Sequence, residues 1–121
     1  MPSKWSIREI VAHLADDELV ATYRIRLILS APGTEIQAFD QARWAEVARY
    51  ADTNVAATFE LYQRLREENR RQMNTLEEAE WNHFGVHAER GRESIRDIAA
   101  YYAGHDLNYF QQIERIMRGR Q

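Results

Sequence analysis

The chain has 121 residues, a net charge of −3 at pH 7 and no cysteine. This length is typical of one domain with its own core, and we expect a single domain over residues 1–121. Without cysteine, a thiol nucleophile, a cysteine-ligated zinc site and a disulfide scaffold are excluded. Acidic and basic residues are interspersed, so the sequence lacks the basic face with which proteins bind nucleic acid.

No apolar run approaches the roughly 20 residues that a membrane-spanning helix needs. Residues 1–10 also lack the uncharged core of a secretory signal. We therefore expect a cytoplasmic protein without a membrane partner. The low proline and glycine content, with abundant Ala, Leu, Glu and Arg, favours an all-helical chain.

The first long helix is predicted over residues 6–29. Ser6 and Glu9 form a capping box, and Trp5 can pack onto Ile10 one turn into the helix. Residues 30–33 contain proline and glycine and end the helix. Apolar side chains at three-to-four-residue spacing predict its buried face: Ile7, Ile10, Leu14, Ala21, Ile25 and Ile28.

A short connector helix is predicted after Asp40, and it carries Trp44. The second long helix is predicted over residues 53–74, with Asp52 or Thr53 as its N-terminal cap. Its buried stripe is defined by six apolar side chains: Val55, Phe59, Tyr62, Leu65, Met73 and Leu76.

The segment between the second and last long helices is predicted to hold one helical turn and a loop. Thr75 and Glu78 have the spacing of a capping box, which predicts a short helix through Trp81. Residues 82–92 contain two glycines and are expected to form a loop.

The last long helix is predicted over residues 94–118, with Ser94 and Asp97 as its capping box. His105 lies on its buried stripe, with Asp106 beside it. An imidazole on an apolar face needs a partner, and metal ions are among its commonest partners. The stripe itself consists of Ile95, Ile98, Tyr102, Tyr109 and Ile116. Three arginines match the negative end of the helix dipole: Arg115, Arg118 and Arg120.

Three long helices with short connector helices predict an all-α helical bundle. The first helix is apolar on a second side, because it also carries Leu19, Val20, Tyr23 and Leu27. A helix with two apolar sides needs neighbours on both. Either the connector helices or another chain must cover the second side, and a two-fold homodimer is the expected arrangement.

Polar side chains also fall where the pattern predicts core. An unpaired buried charge is strongly destabilising, so these groups must be paired. In a purely structural arrangement Glu18 pairs with Arg66, and the histidines bond to carbonyls or carboxylates. His83 and His87 lie in the predicted loop and are interpreted as exposed, although His87 could reach a site at the mouth of the bundle. The core polar residues are His13, Glu18, Arg66, Asn69 and His105.

A second arrangement of the same residues is a metal site. His13 and His105, on different helices, would bind a divalent ion. Asp17 or Asp106 would then act as a further ligand or would orient the imidazoles. The residues alone leave both arrangements open.

Two segments resemble the DinB-like family of the YfiT type. Residues 4–29, KWSIREIVAHLADDELVATYRIRLIL, resemble its second helix, which typically reads W-S-x-x-E, then H-L, an acidic pair and R-I-R. Residues 105–116, HDLNYFQQIERI, resemble its last helix, usually H-D-x-x-H followed by x-x-Q-I. Trp44, the Leu65-Arg66 step and residues 81–91 fit the family's order, so the resemblance covers essentially the whole chain.

The resemblance implies a four-helix bundle, commonly dimeric, with a nickel- or zinc-type site of three histidines. His13 and His105 match two of these ligands, and Tyr109 stands at the third position. A phenol with a pKa near 10 must lose its proton before it binds zinc or nickel, which predicts a weakened site at His13, His105 and Tyr109. The family's first helix, about 30 residues with its loop, has no counterpart before Trp5.

Two functional hypotheses follow. Some members of the family that the chain resembles are transferases or isomerases that use bacillithiol or mycothiol. The first hypothesis is a metal-dependent enzyme that activates a thiol or water for transfer or hydrolysis of a small molecule. The second is a metal-free binding or assembly module that keeps only the bundle. Tyr109 favours the second hypothesis, because it replaces a ligand that an open three-ligand site needs.

Overall fold

The structure, a computed structural model, describes residues 5–119. It is mostly helical and confirms the predicted bundle of three long helices with short connectors. The elements, in chain order, are α1 (Ile7–Ser30), β1 (Glu35–Ile36), α2 (Gln41–Val47), a 3-10 turn (Tyr50–Asp52), α3 (Val55–Asn74), α4 (Glu78–Trp81), β2 (Phe84–His87), β3 (Gly91–Ser94) and α5 (Ile95–Arg118).

The helix boundaries follow from local capping. The boxes predicted at Ser6–Glu9 and Ser94–Asp97 are both present, and the Asp40 side chain caps α2. In such caps a side chain accepts a hydrogen bond from the backbone N–H three residues later, which satisfies an N–H group that the start of a helix leaves without a partner. The two basic residues predicted for the last turn of α5 that lie within the described part of the chain, Arg115 and Arg118, are there. Arg120 lies outside the described residues.

Two predicted caps were wrong. Asn54, and neither Asp52 nor Thr53, caps α3. The reason is that Asp52 ends the preceding 3-10 turn and the Thr53 hydroxyl donates to the Tyr50 carbonyl, which leaves Asn54 as the first free capping position. The box that starts α4 likewise joins residues 77 and 80, whereas Thr75 still belongs to the end of α3.

The predicted loop over residues 82–92 was also wrong. β2 and β3 form an antiparallel hairpin there, and β1 adds to β2 in parallel, giving a three-stranded sheet in the order β1-β2-β3. The two glycines that suggested a loop have strand-compatible roles. Gly91 takes a positive φ of 78° at the hairpin turn, and Gly85 lies buried where β2 passes over Ile36.

The hydrophobic core consists of two clusters placed along α1, which contacts both α3 and α5. The first cluster surrounds the N-terminal half of α1 and contains Trp5, Ile10, Ala12, Leu14, Ala15, Tyr50, Tyr62 and Tyr109. The second surrounds its C-terminal half and the sheet, and contains Ala21, Ile25, Ile28, Ile36, Ile95, Ile98 and Tyr102. The predicted buried faces of α1 and α5 supply most of both clusters. Within the described residues, no helix is long and apolar enough to cross a membrane.

The close contact at Gly85 gives a test of the sheet. A Cβ added at Gly85 would lie 2.5 Å from Ile36 Cδ1 and 3.1 Å from the Thr34 carbonyl oxygen, and Ile36 is itself buried. Gly85→Ala should therefore lower the free energy of unfolding by about 1–3 kcal/mol, the usual cost of overpacking. The matched change Gly104→Ala meets no atom within 4 Å inside α5 and should raise it by about 0.5–1 kcal/mol. Urea unfolding followed by circular dichroism measures both, and equal effects would contradict the packing at β2.

Candidate metal centre

A polar layer separates the two core clusters in the middle of α1. Three of its side chains are almost fully buried: His13, Asp17 and Glu18 are 1%, 4% and 3% exposed. His13 and Asp17 are four residues apart, so they lie on the same face of the helix one turn apart. Burial of three ionisable groups next to one another requires partners from other elements.

The first partner is His105 of α5. His13 Nε2 and His105 Nε2 lie 3.1 Å apart, and each lies 2.9 Å from Asp17 Oδ2. Three side-chain atoms of types that bind metal ions, from two helices, thus meet at one point, and we call this group of His13, Asp17 and His105 the metal-type cluster. The structure therefore brings together the two histidines that the sequence analysis paired, and it places with them Asp17, which that analysis offered as a further ligand or as a residue that orients the imidazoles.

The geometry of this cluster fits a divalent cation. Neither contact to Asp17 Oδ2 has the directionality of a hydrogen bond, so this buried oxygen has no hydrogen-bond donor among the described residues. Ligands about 2.0–2.2 Å from a tetrahedral zinc ion lie about 3.3–3.6 Å from one another, so small side-chain shifts outward from the 2.9–3.1 Å separations found here would admit the ion. Two neutral imidazoles and one carboxylate are also a common ligand set for zinc and similar ions.

The charge on Asp17 is held by its surroundings. Burial alone would raise the pKa of this carboxyl, but the imidazoles of His105 and His13 outweigh it and hold the pKa below its ordinary value. Asp17 is therefore ionised at neutral pH. An ionised carboxylate beside two imidazoles is ready to bind a cation without first losing a proton.

Tyr109 lies beside the cluster as part of its aromatic wall. Its ring centroid is 4.9 Å from that of His13 and 4.7 Å from that of His105. Burial raises the pKa of Tyr109 to about 12, so its phenol keeps its proton at neutral pH. On the other side Tyr101 stacks on His105 with 5.3 Å between ring centroids. These rings fix the orientation of the imidazoles.

A second polar cluster, which we call the Arg66 network, lies beside the first and contains Glu18 and Asp106, the residues that directly follow Asp17 and His105 in the chain. Arg66 Nη1 donates to Glu18 Oε1 at 3.1 Å and also to Asp106, which confirms the predicted Glu18–Arg66 pair. Asn69 Nδ2 donates to Glu18 Oε2 at 2.8 Å, and the Tyr62 hydroxyl donates to Asp106 Oδ2 at 2.9 Å. Asp106 thus faces away from the metal-type cluster and joins α5 to α3.

The electrostatics of the Arg66 network are those of a structural junction. Burial, with the nearby Glu18 charge, raises the pKa of Asp106 to about 6, although Tyr62 and Arg66 counteract it. One guanidinium therefore serves two buried carboxyl groups. Among the described residues, the hydrogen bonds of this network join none of the three side chains of the His–Asp–His cluster, so the two polar groupings are separate.

Two further residues lie beside the metal-type cluster, and the sequence analysis assigned neither of them to it. Arg24, on α1, and His87, at the end of β2, are only 4% and 3% exposed. Arg24 lies seven residues after Asp17, so helical spacing alone could have placed it on the same face. His87 was interpreted as an exposed loop residue that could reach a site at the mouth of the bundle, and the sheet buries it. His83 lies between α4 and β2, away from the cluster.

The bundle and its His–Asp–His cluster together define a small helical protein with a candidate divalent-metal centre. The chain belongs to the DinB superfamily, whose family model matches residues 1–113. The resemblance drawn from the motifs of α1 and α5 is thereby confirmed.

Three curated relatives carry the name "putative metal-dependent hydrolase". Two, OB0782 and OB0413, come from Oceanobacillus iheyensis and are 24% and 29% identical to this chain over 94% and 91% of its length. The third, YfiT from Bacillus subtilis, is 20% identical over 93% of the chain. The chain spans 66%, 63% and 66% of these relatives, which is about two thirds of their length.

The fold also matches a solved structure. The chain superimposes on YfiT from Bacillus subtilis with a TM-score of 0.91 and 20% sequence identity, over 99% of this chain and 71% of the other. That protein is described as a probable metal-dependent hydrolase with an unusual four-helix bundle topology. The match establishes the bundle topology of the present chain.

Proposed function

We propose that this chain is the metal-binding part of a DinB-type hydrolase or thiol-dependent transferase, with His13, Asp17 and His105 as the ligands of a divalent ion. The observation that carries the proposal is the meeting of two Nε2 atoms and the unpaired Asp17 Oδ2 within 3.1 Å. Three protein ligands leave a position open for a reacting group, as in catalytic zinc sites. The names of the relatives support the same assignment.

Nickel or zinc is the ion that this ligand set favours, since imidazole binds both well. A divalent ion held there would supply Lewis-acid activation of a water or thiol nucleophile near neutral pH. The residues of the chain do the rest. Asp17 provides the negative charge, the rings of Tyr109 and Tyr101 hold the imidazoles in place, and a pocket beside His105 admits the substrate.

One observation favours a metal-free alternative. The 3.1 Å contact between His13 Nε2 and His105 Nε2 is a hydrogen-bond distance, so the two imidazoles can satisfy one another without an ion. In that case the chain is a helical binding or assembly module. The two candidates differ in one measurable property, which is the metal content of the folded protein.

Metal loading separates these candidates. Protein purified without an affinity tag, stripped with chelator and loaded with zinc or nickel at micromolar concentration should retain about one ion per chain. His105→Ala should lose the ion, because it removes one of three ligands. His83→Ala, a histidine outside the cluster, should keep it. Elemental analysis measures all three. Wild-type protein without metal after loading would refute the proposed enzyme and favour the binding module.

We also propose that α1 pairs with a second copy of this chain. Leu19 and Tyr23 are 50% and 65% exposed on the same side of α1, beside a groove of about 530 Å³. A two-fold interface places such a patch against its own counterpart, so one exposed apolar face is enough to form it. Val20, Leu27, Phe39 and Trp44 line the same groove.

Light scattering after size exclusion tests the pairing. The wild type should have the mass of a dimer at about 100 µM, a concentration at which dimers with a Kd in the micromolar range are populated. Tyr23→Glu should yield a monomer, because it places a charge in the apolar contact. Leu61→Glu, which changes a side chain 51% exposed on α3, should remain a dimer. A monomeric wild type would refute the pairing.

A further inference from the structure

A small pocket lies directly against the metal-type cluster. Its volume is about 100 Å³, and Asp17 and His105 form part of its wall. Arg24 and His87 also line it, together with Arg90 and Tyr101. A group bound in this pocket would touch the cluster, so the chemistry of its wall selects the substrate.

Arg24 is a buried cation without a counter-ion. It is 4% exposed, and the carboxylates of the described residues all lie outside the 4.0 Å range in which other arginines of the chain form ion pairs. Its Nη2 donates to the Gln37 carbonyl at 2.9 Å, and its guanidinium lies 5.7 Å from the Phe39 ring centroid. Arg66, which is far more exposed, has two carboxylates. A buried guanidinium is strongly disfavoured unless an anion neutralises it.

His87 offers a second donor to the same pocket. Its Nδ1 accepts hydrogen bonds from the backbone N–H groups of Glu89 and Arg90, both at 3.1 Å. Because Nδ1 is an acceptor, the proton of the neutral ring resides on Nε2. Burial, together with Arg90 and Arg24, lowers the pKa of His87, which keeps the ring neutral at neutral pH. Nε2–H has no acceptor among the described residues.

The other charges of the pocket are already engaged. Arg90 Nε donates to Glu93 at 2.9 Å, and Asp17 lies between the two imidazoles of the cluster. Glu89 is exposed at the rim. Among the described residues of the pocket wall, Arg24 is therefore the cation without an ion-pair partner, and His87 adds a neutral donor. A monoanion matches this charge better than a dianion, and a planar carboxylate matches the fork of a guanidinium.

We propose that this pocket binds a carboxylate group of the substrate through Arg24 and His87 Nε2–H, beside the His13–Asp17–His105 cluster. The inference rests on the proposed function, because it names the substrate class of the same site. The carboxylate neutralises Arg24, accepts a hydrogen bond from His87 Nε2–H and positions the rest of the molecule against His105. Arg24 and His87 are thus determinants of specificity, whereas the cluster supplies the reactive centre.

The test uses the metal-free protein, so that it is independent of metal binding. Sodium acetate should shift the His87 side-chain signals in ¹⁵N-edited NMR spectra and raise the midpoint of thermal unfolding, relative to sodium chloride at the same ionic strength. Arg24→Met should weaken the acetate response by at least about ten-fold, since it removes a charge-assisted pair. Arg26→Met, on the same helix but exposed and paired with Glu68, should retain the response.

The outcomes separate the possible roles of Arg24. Equal responses to acetate and chloride, or an unchanged acetate response in Arg24→Met, would overturn the proposal. Tighter binding of inorganic phosphate than of acetate would overturn the carboxylate assignment. Arg24→Met should also leave the unfolding midpoint in chloride almost unchanged. A marked fall of that midpoint would mean that Arg24 is a structural residue and would overturn the proposal. Since no metal is present, failure here leaves the metal-loading result untouched, and the reverse also holds.

Discussion

Replacement of Asp17 by asparagine should weaken zinc binding by more than about 100-fold. Loss of a residue that only hydrogen-bonds to a metal ligand already costs about 10–100-fold in affinity, and Asp17 Oδ2 lies where a ligand itself would be. Asparagine keeps the size of the side chain but removes the negative charge that two imidazoles surround. Tyr109→Phe should change the affinity little, since it keeps the ring that packs on both histidines. Competition with a chromophoric chelator measures both affinities.

The neighbouring change Asp16→Asn is the matched control. Asp16 accepts a hydrogen bond from the Tyr50 hydroxyl at 2.6 Å and takes no part in the cluster, so its loss should leave zinc binding intact. Tyr109→His adds an imidazole one turn from His105 and should tighten binding. If Tyr109→Phe abolished binding while Asp17→Asn did not, the third ligand would be the phenol, and the geometric assignment of Asp17 would be wrong.

Asp17 and Tyr109 are the two alternatives for the third metal ligand, and they illustrate how far the sequence determines the site. His13 and His105 could be paired from their motifs, and the structure places their Nε2 atoms 3.1 Å apart. The i,i+4 spacing of His13 and Asp17 also placed both on one face of α1. The sequence does not reveal how deeply each side chain reaches between helices, and that depth puts the carboxylate at the cluster and the phenol beside it.

The carboxylate pocket could not be predicted from the sequence, for a different reason. The buried position of its donor, His87, depends on a β-hairpin, and the glycines of this segment led to the prediction of a loop instead. Strand pairing is a non-local property, and Gly85 is required by the close approach of Ile36 from a distant segment. Helix starts, in contrast, are decided by three or four neighbouring residues, so the boxes at Ser6 and Ser94 could be recognised directly.

The Arg66 network could be predicted in part, because unpaired charges on buried helical faces must find one another. The Glu18–Arg66 pair could be predicted because both residues lie on faces that the pattern predicts to be buried, and Asn69 lies on the same face as Arg66. The sequence left Asp106 open as a partner of the histidines or as a structural residue, since adjacent positions on a helix point about 100° apart and a small rotation decides which face is buried. The network therefore links α1, α3 and α5 independently of the metal-type cluster.

Loss of Arg66 should consequently destabilise the bundle without removing the metal ligands. Arg66→Met leaves the Glu18 and Asp106 side chains, 4% and 3% exposed, without their shared cation. Breaking a fully buried pair costs about 3–5 kcal/mol, but the Arg66 side chain is 35% exposed and solvent screens it. We expect the free energy of unfolding to fall by about 2–3 kcal/mol, measured by urea titration of the metal-free protein.

Arg64→Met provides the comparison on the same helix. The Arg64 side chain is 75% exposed and pairs with Glu60 one turn away, so its loss should cost less than about 0.5 kcal/mol. A double-mutant cycle of Arg66→Met with Glu18→Gln then isolates the pair, and a coupling of about 1 kcal/mol or more is expected for contacting charges. Equal effects of Arg66→Met and Arg64→Met would mean that the buried carboxyl groups do not depend on Arg66. Because the cluster of His13, Asp17 and His105 shares no side chain with this network, Arg66→Met that still folds should bind zinc as tightly as the wild type.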